Sequence, residues 1–226
     1  MDILGTTGYN PSFALIDLNH IEEELKKRWP YPDTWFRKQN NEWDKRSNFI
    51  YQSQEFAVVV SKISEAVAKN GYDKKQFFYY SINRWYNFWS AIAVEEIFKN
   101  QQEVLKAVNS KNRLVDFTIQ KIKFDHKTSK FPNGFGKKIE YAQANPKELI
   151  LWLYKNQSQQ NRMHFENRLF LVVYDQKGSH YKLKAEITWL KKLIENYVST
   201  FDPSKLKEVQ VQPEKTALSD IIWAIR

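Results

Sequence analysis

The stretch RLVDFTIQKIKFDHKTSKFP, residues 113–132, constrains the fold most, because apolar and polar residues alternate on either side of a short polar break. Such alternation is typical of a β-strand with one buried face. If Gln120 and Lys121 form a two-residue loop, Phe117 pairs with Phe124 across the two strands. The sequence therefore predicts a β-hairpin with one apolar face and one charged face.

The charged face of this hairpin brings two carboxylates together. In the predicted register Asp116 lies opposite Asp125, and directly opposed like charges are unfavourable unless something compensates them. Mg²⁺ is a suitable compensator, with Mn²⁺ as an alternative, because proteins hold Mg²⁺ with one or two carboxylates plus water and phosphate oxygens. Lys127 shares this face, where its ammonium group can balance the acids or stabilise charge on a reacting phosphate. The alternative is a solvated strand face, in which an Asp125–Lys127 ion pair contributes about 0–1 kcal/mol.

The combination of Asp116 with Asp125-His126-Lys127 on consecutive strands resembles the motif of the PD-(D/E)XK restriction-endonuclease-like nucleases. The resemblance implies that Asp116, Asp125 and the backbone carbonyl of His126 bind catalytic Mg²⁺. It also implies that Lys127 assists the attack of water on a phosphodiester. Two positions depart from the motif: Val115 stands where the family has proline, and His126 takes a place more often held by an apolar residue.

A helix with a glutamate precedes the predicted hairpin. Many nucleases of this family carry a glutamate on such a helix that reaches the metal or its bound water. The resemblance covers roughly residues 85–131 and implies this role for Glu95 in VEEIF, with Glu96 as the reserve. A strand is expected near residues 104–108, between this helix and the hairpin. The alternative is a surface carboxylate that pairs with Lys99.

Basic and amide residues that follow the hairpin are candidates for contacts with nucleic acid. The glycine-containing loop FPNGFGKK is surrounded by lysines that can bind phosphates. The segment NQSQQNRMHFENR is rich in side chains that pair with base edges, Gln with adenine and Arg with guanine. An ordinary solvated turn and a polar helix end are the alternatives. The candidates are Lys130, Lys137, Lys138, Gln157, Gln160, Arg162 and Arg168.

Composition narrows the class of partner. Lys and Arg number 35 against 26 Asp and Glu, which gives a net charge of +9, so an anionic partner such as DNA is favoured. Cysteine is absent, which excludes disulfides, thiolate metal sites and a cysteine nucleophile. With six glycines and no P-loop or GxGxxG motif, no nucleotide cofactor is expected. There is no signal peptide and no apolar run long enough to span a membrane, so a cytoplasmic protein without a membrane partner is expected.

The order of the elements predicts an α/β (α+β) protein with a restriction-endonuclease-like mixed central sheet flanked by helices. An N-terminal helical region, residues 1–80, is expected to pack on a nuclease-like core, residues 81–226. Asp33 is expected to cap a helix through Trp43, RLFLVVY at residues 168–174 is expected to be a buried strand, and Ser219 is expected to begin a terminal turn.

These predictions favour a Mg²⁺-dependent DNA endonuclease with a role in restriction or defence. A homodimer is expected if it cuts both strands. The alternative is a non-catalytic nucleic-acid-binding protein with a degenerate nuclease fold, and a third class is an interaction module of a larger assembly.

Overall fold

The computed structural model describes residues 16–38, 40–107, 115–156 and 166–226. Within these ranges there are six strands: β1 (Val104–Lys106), β2 (Phe117–Ile119), β3 (Ile122–Lys130), β4 (Arg168–Tyr174), β5 (Lys207–Gln212) and β6 (Lys215–Ile225). They form one mixed sheet in the order β1-β2-β3-β4-β6-β5. Strands β3, β4 and β6 run parallel, and the other neighbours are antiparallel. The predicted mixed central sheet is thus confirmed.

The β2–β3 hairpin has the register predicted from the sequence. Phe117 pairs with Phe124, and the loop consists of Gln120 and Lys121. Both loop residues have positive φ, 44° and 70°, as two-residue hairpin loops of the most favoured type require. Neither residue is the usual Asn or Gly. A hydrogen bond from the Gln120 side chain to the Phe201 carbonyl, 3.2 Å long, helps to hold the loop.

Helices cover both faces of the sheet. The sequence predicts that Asp17 or Asn19 caps a first helix, that Asn70-Gly71 ends a helix and that Asp73 begins the next. In the structure Asp17 caps the first helix, Gly71 ends the third with a positive φ of 67°, and Asp73 caps the fourth. An amphipathic pattern predicts a helix over about residues 183–201, but this helix begins only at Ile187, after a 3-10 turn at His180–Ala185. The helices are α1 (Leu18–Lys26), α2 (Asn41–Arg46), α3 (Phe56–Asn70), α4 (Lys74–Lys99), α5 (Ile139–Ala144), α6 (Pro146–Asn156) and α7 (Ile187–Ser199).

Helix α4 lies at the centre of the larger of two hydrophobic cores. Trp85 and Trp89 on this helix are buried together with residues of α1, α3, α7 and one sheet face. The smaller core lies between α5, α6 and the opposite face. The division expected at residue 80 falls within α4. The N-terminal helical region and the sheet therefore share a helix and a core, because α4 is apolar on the sides that face both of them.

Two local predictions are wrong. The segment from Asp33 to Trp43 is not one helix: residues 31–38 are irregular, and α2 begins only after Asn40, whose side chain caps it. The C-terminal residues from Ser219 belong to the long strand β6 rather than to a turn. Strand β6 pairs with the adjacent strand β5 on one side and with β4 on the other, where Ser219 lies beside Arg168, 51 positions earlier. The pairing with β4 is not visible in the local sequence. Nowhere in the described ranges is a helix both long and apolar enough to cross a membrane.

Candidate functional site

Asp116 lies where the pairing between β2 and β3 ends. Its backbone N–H donates to the Phe124 carbonyl over 2.9 Å, and its carboxylate Oδ2 accepts the backbone N–H of His126 over 2.7 Å. These two hydrogen bonds fix Asp116 against β3 beside Asp125, in agreement with the predicted hairpin.

Asp125 is 4% exposed and binds two cationic side chains. Its Oδ1 accepts a hydrogen bond from Lys127 Nζ at 2.6 Å, and its Oδ2 accepts one from Arg168 Nε at 3.0 Å. Arg168 is the direct neighbour of Asp125 in the parallel pairing of β3 with β4. The carboxylate of Asp125 is therefore held in one orientation by a buried residue, Arg168, and by a half-exposed one, Lys127.

The pKa of Asp116 is raised to about 6. Burial is the largest cause, and the negative charges of Glu95 and Asp125 raise the pKa further. The hydrogen bond from the His126 N–H and the charge of Lys127 act in the opposite direction. Asp116 is therefore affected by two other carboxylates, one on β3 and one on α4. An added cation would relieve the repulsion on Asp116.

Glu95 lies in the last turns of α4, and its side chain is 24% exposed. It forms an ion pair with Lys99, four residues later on the same helix. Glu95 is thus both the surface ion-pair partner considered as an alternative and the glutamate whose charge raises the pKa of Asp116. Glu96, the reserve candidate, is half-buried.

The donor chemistry of the site fits Mg²⁺. Carboxylate oxygens are hard ligands, and Glu95, Asp116 and Asp125 supply them. Over the residues that the structure covers, no three Asp, Glu or His side chains already converge as a metal-binding group. In this arrangement Lys127 holds Oδ1 of Asp125, but its side chain is 44% exposed, so its ammonium group can move into solvent. The site thus offers suitable ligands without being preassembled.

His126 behaves as an apolar residue. It is 5% exposed, and its ring lies 5.7 Å from the ring of Phe98, centroid to centroid. Its Nε2 lies 2.9 Å from the Thr128 hydroxyl. Burial is the largest cause that lowers the pKa of His126, to about 3, and the charge of Lys127 adds to it. The ring is therefore neutral at pH 7, which explains how histidine fits a position that the nuclease motif usually gives to an apolar side chain.

Stability should fall in acid because of His126. A pKa that folding lowers from 6.5 to about 3 contributes stability above pH 6.5, and this contribution is lost as the pH falls towards 3. The expected loss between pH 6.5 and 4 is about 3 kcal/mol. Urea unfolding of wild type and His126→Phe at pH 7 and pH 4 measures it. The variant should lose much less stability on acidification, and an equal loss in both proteins would contradict the assignment.

The basic candidates for nucleic-acid contacts are placed differently from one another. Lys137 and Lys138 are exposed, and Lys137 Nζ lies 5.3 Å from the ring centroid of Tyr141. Lys130 forms an ion pair with Asp33 of the N-terminal region, so its charge is partly neutralised. The remaining candidates lie outside the described residues: Gln157, Gln160 and Arg162.

Arg168 falls under two predictions that conflict, the buried strand at residues 168–174 and the group of nucleic-acid contacts. It is 3% exposed and buried against Asp125 and Tyr154, as the strand prediction requires. Its guanidinium carbon lies 4.9 Å from the Tyr154 ring centroid. The expectation of a contact with bases is therefore wrong for this residue. The contact of Arg168 with Asp125 depends on the pairing of β3 with β4, which joins residues more than forty positions apart and leaves no local pattern in the sequence.

Comparison with known proteins assigns this chain to no family and to no known fold. A scan of protein-family models, a search of curated proteins and a search of solved structures each found no match to this chain. The restriction-endonuclease-like assignment remains a prediction from the hairpin residues. Function is accordingly inferred from the geometry and charges of the site.

Proposed function

We propose that this protein is a Mg²⁺-dependent DNA endonuclease. The observation that carries the proposal is geometric: the His126 N–H holds the carboxylate of Asp116 beside Asp125, and Lys127 contacts Asp125. The charges of Glu95 and Asp125 raise the pKa of Asp116, in keeping with this arrangement. Buried acids with perturbed pKa values next to a specific charged partner are more common at functional sites than elsewhere. The resemblance to the PD-(D/E)XK nucleases assigns these residue types to phosphodiester hydrolysis.

Each side chain has a defined part in the proposal. Asp116 and Asp125, with the carbonyl of His126, would hold the metal, and Glu95 would hold a metal-bound water or a second ion. When bound, Mg²⁺ or Mn²⁺ polarises the phosphate and lowers the pKa of bound water. Lys127 neutralises charge that develops on the phosphate and orients the attacking water. Its side chain is 44% exposed, so the ammonium group can contact solvent, which supports this role.

Among the residues that the structure describes, side chains of β1 and β3 on the face of Asp125 and Lys127 are exposed. The core beneath α5 and α6 is built from strands β4, β5 and β6, with Phe131 after β3. On the same face, Leu105 of β1 is 66% exposed and Lys123 of β3 is exposed. Asp125 and Lys127 lie on β3, at the border between the covered and the open part of the face. A DNA strand could reach them from the side of β1 and β2.

The biological setting is part of the same proposal. The resemblance suggests restriction or defence against foreign DNA in the cytoplasm. Cutting both strands of a duplex requires two such sites, which a homodimer would provide. The net charge of +9 supports binding to the phosphate backbone.

One observation favours a second function, a non-catalytic nucleic-acid-binding protein. Both oxygens of Asp125 are already bound by cations of the protein, Lys127 and Arg168. In this alternative the acidic cluster is structural, DNA binds through basic surface residues, and divalent metal has no effect on the DNA.

Incubation of the purified protein with supercoiled plasmid and linear DNA in Mg²⁺, Mn²⁺ or EDTA separates the two functions. The proposal predicts cutting with either metal, none with EDTA, and none by Asp116→Asn, which keeps a side-chain oxygen for the His126 N–H. A folded wild type that binds DNA but never cuts it would support the binding protein instead.

A further inference from the structure

A second surface feature lies between α6 and the loop that follows β3. It is an open pocket of about 310 Å³, near the lower end of the range of about 300–1,000 Å³ that is usual for small-ligand sites. Its lining combines aromatic, aliphatic and charged side chains. They are Phe135, Lys137, Glu148, Leu151, Trp152 and Lys155.

The aromatic side of the pocket is held in place by packing. The rings of Phe135 and Trp152 meet edge to face, with centroids 6.4 Å apart. A Cβ at Gly134 would lie 3.1 Å from Trp152 Cζ2, so the loop approaches this indole closely because residue 134 has no side chain. Both rings remain partly exposed. The pocket therefore presents two ordered aromatic rings to solvent.

The charges at the pocket favour an anionic ligand. Lys137 and Lys155 are both exposed. The one acid of the lining, Glu148, accepts hydrogen bonds from the Tyr141 hydroxyl at 3.0 and 3.1 Å. Lys137 lies over the ring of this same tyrosine. Two lysines thus stand beside the aromatic rings, and the acid already has a partner on the protein.

We infer that this pocket binds one unpaired nucleotide of a DNA strand. The base would pack on Trp152 and Phe135, because every base has a face that stacks on aromatic rings. The flanking phosphates would contact Lys137 and Lys155. A base within a duplex cannot enter such a pocket unless it leaves the stack, so single-stranded DNA should bind better than a duplex. The inference extends the proposed function, since it names a contact of the same DNA substrate away from the carboxylates.

The test measures binding of a fluorescent single-stranded DNA oligonucleotide by anisotropy, in EDTA so that no cutting occurs. Trp152→Leu should weaken binding by about 5- to 100-fold, as loss of one base–aromatic stack does. Lys137→Ala/Lys155→Ala should reduce the slope of log K against log salt by about 1.4, or 0.7 for each lost phosphate contact with a single strand. Wild type should bind the single strand more tightly than the duplex of equal length.

Matched controls come from the opposite side of the sheet. Trp189→Leu replaces another half-buried tryptophan, and Lys69→Ala/Lys192→Ala removes the same charge from α3 and α7. Both controls should bind like wild type. If the pocket variants also bind like wild type while the plasmid is still cut in Mg²⁺, the pocket is refuted and the endonuclease stands. If wild type neither binds single-stranded DNA nor cuts plasmid, both are refuted.

Discussion

Arg168→Met is expected to lower the free energy of unfolding by about 3–5 kcal/mol, because it leaves the carboxylate of Asp125 buried with half of its partners. Asp125 is 4% exposed and Arg168 is 3% exposed, so water cannot replace the lost contact. The guanidinium also packs on the ring of Tyr154. Urea unfolding at pH 7 gives the free energy of unfolding of each protein from the midpoint and slope of its curve, and the two values are compared.

A double variant separates the ion pair from the packing of the arginine side chain. Asp125→Leu/Arg168→Met replaces both charges with apolar groups, and exchanges of this kind are often close to neutral for stability. The double variant should therefore recover most of the stability that Arg168→Met loses. The losses of unfolding free energy in Asp125→Leu and Arg168→Met are measured separately. A double variant whose loss equals the sum of these two losses would show that the charges are not coupled.

Lys127→Met is expected to reduce the rate of DNA cutting by about 10²–10³-fold with little loss of stability. Little stability is lost because Lys127 is half-exposed and its ammonium group contacts one oxygen of Asp125. Cutting slows because the charge that stabilises the reacting phosphate is removed. Methionine keeps most of the apolar side-chain length and removes the charge. Single-turnover cutting of a labelled duplex in Mg²⁺ measures the chemical step, and urea unfolding checks the fold.

Lys123→Met is the matched control for this prediction. Lys123 lies on β3 and on the same face as Lys127, it is exposed, and its charge is equal. It lies four residues earlier, so a loss of general attraction for DNA should affect both variants, whereas a loss of catalysis should affect only Lys127→Met. Equal rates for the two variants would remove Lys127 from the mechanism.

Local patterns were sufficient to predict the hairpin and the helix ends at Asp17, Gly71 and Asp73. The alternation around Gln120 and Lys121 fixed the register, because a shift by one residue would have exposed Phe117 and Phe124. Asp17, Gly71 and Asp73 act at helix ends through contacts within a few residues. The carboxylates of the candidate site follow from the same hairpin, which is why they could be named from the sequence.

Contacts between distant segments could not be predicted in this way. Arg168 meets Asp125 only because β3 and β4 pair in parallel. The sequence predicts a turn from Ser219 because the pairing of β6 with β4, which joins Ser219 to a residue 51 positions earlier, is not visible locally. The irregular course of residues 31–38 is set partly by Arg28, which is fully buried and donates hydrogen bonds to the carbonyls of Tyr31 and Pro32. None of these contacts leaves a periodic signal in the sequence.

Binding of Mn²⁺, followed by electron paramagnetic resonance of the free ion, tests the central claim that the carboxylates form a metal-dependent site. Wild type should bind Mn²⁺ competitively with Mg²⁺, and Asp116→Asn should weaken binding at least tenfold. Lys127→Met should bind Mn²⁺ as well as wild type or better, since its ammonium group competes for Oδ1 of Asp125. No Mn²⁺ binding by folded wild type, or equal binding by Asp116→Asn, would contradict the account.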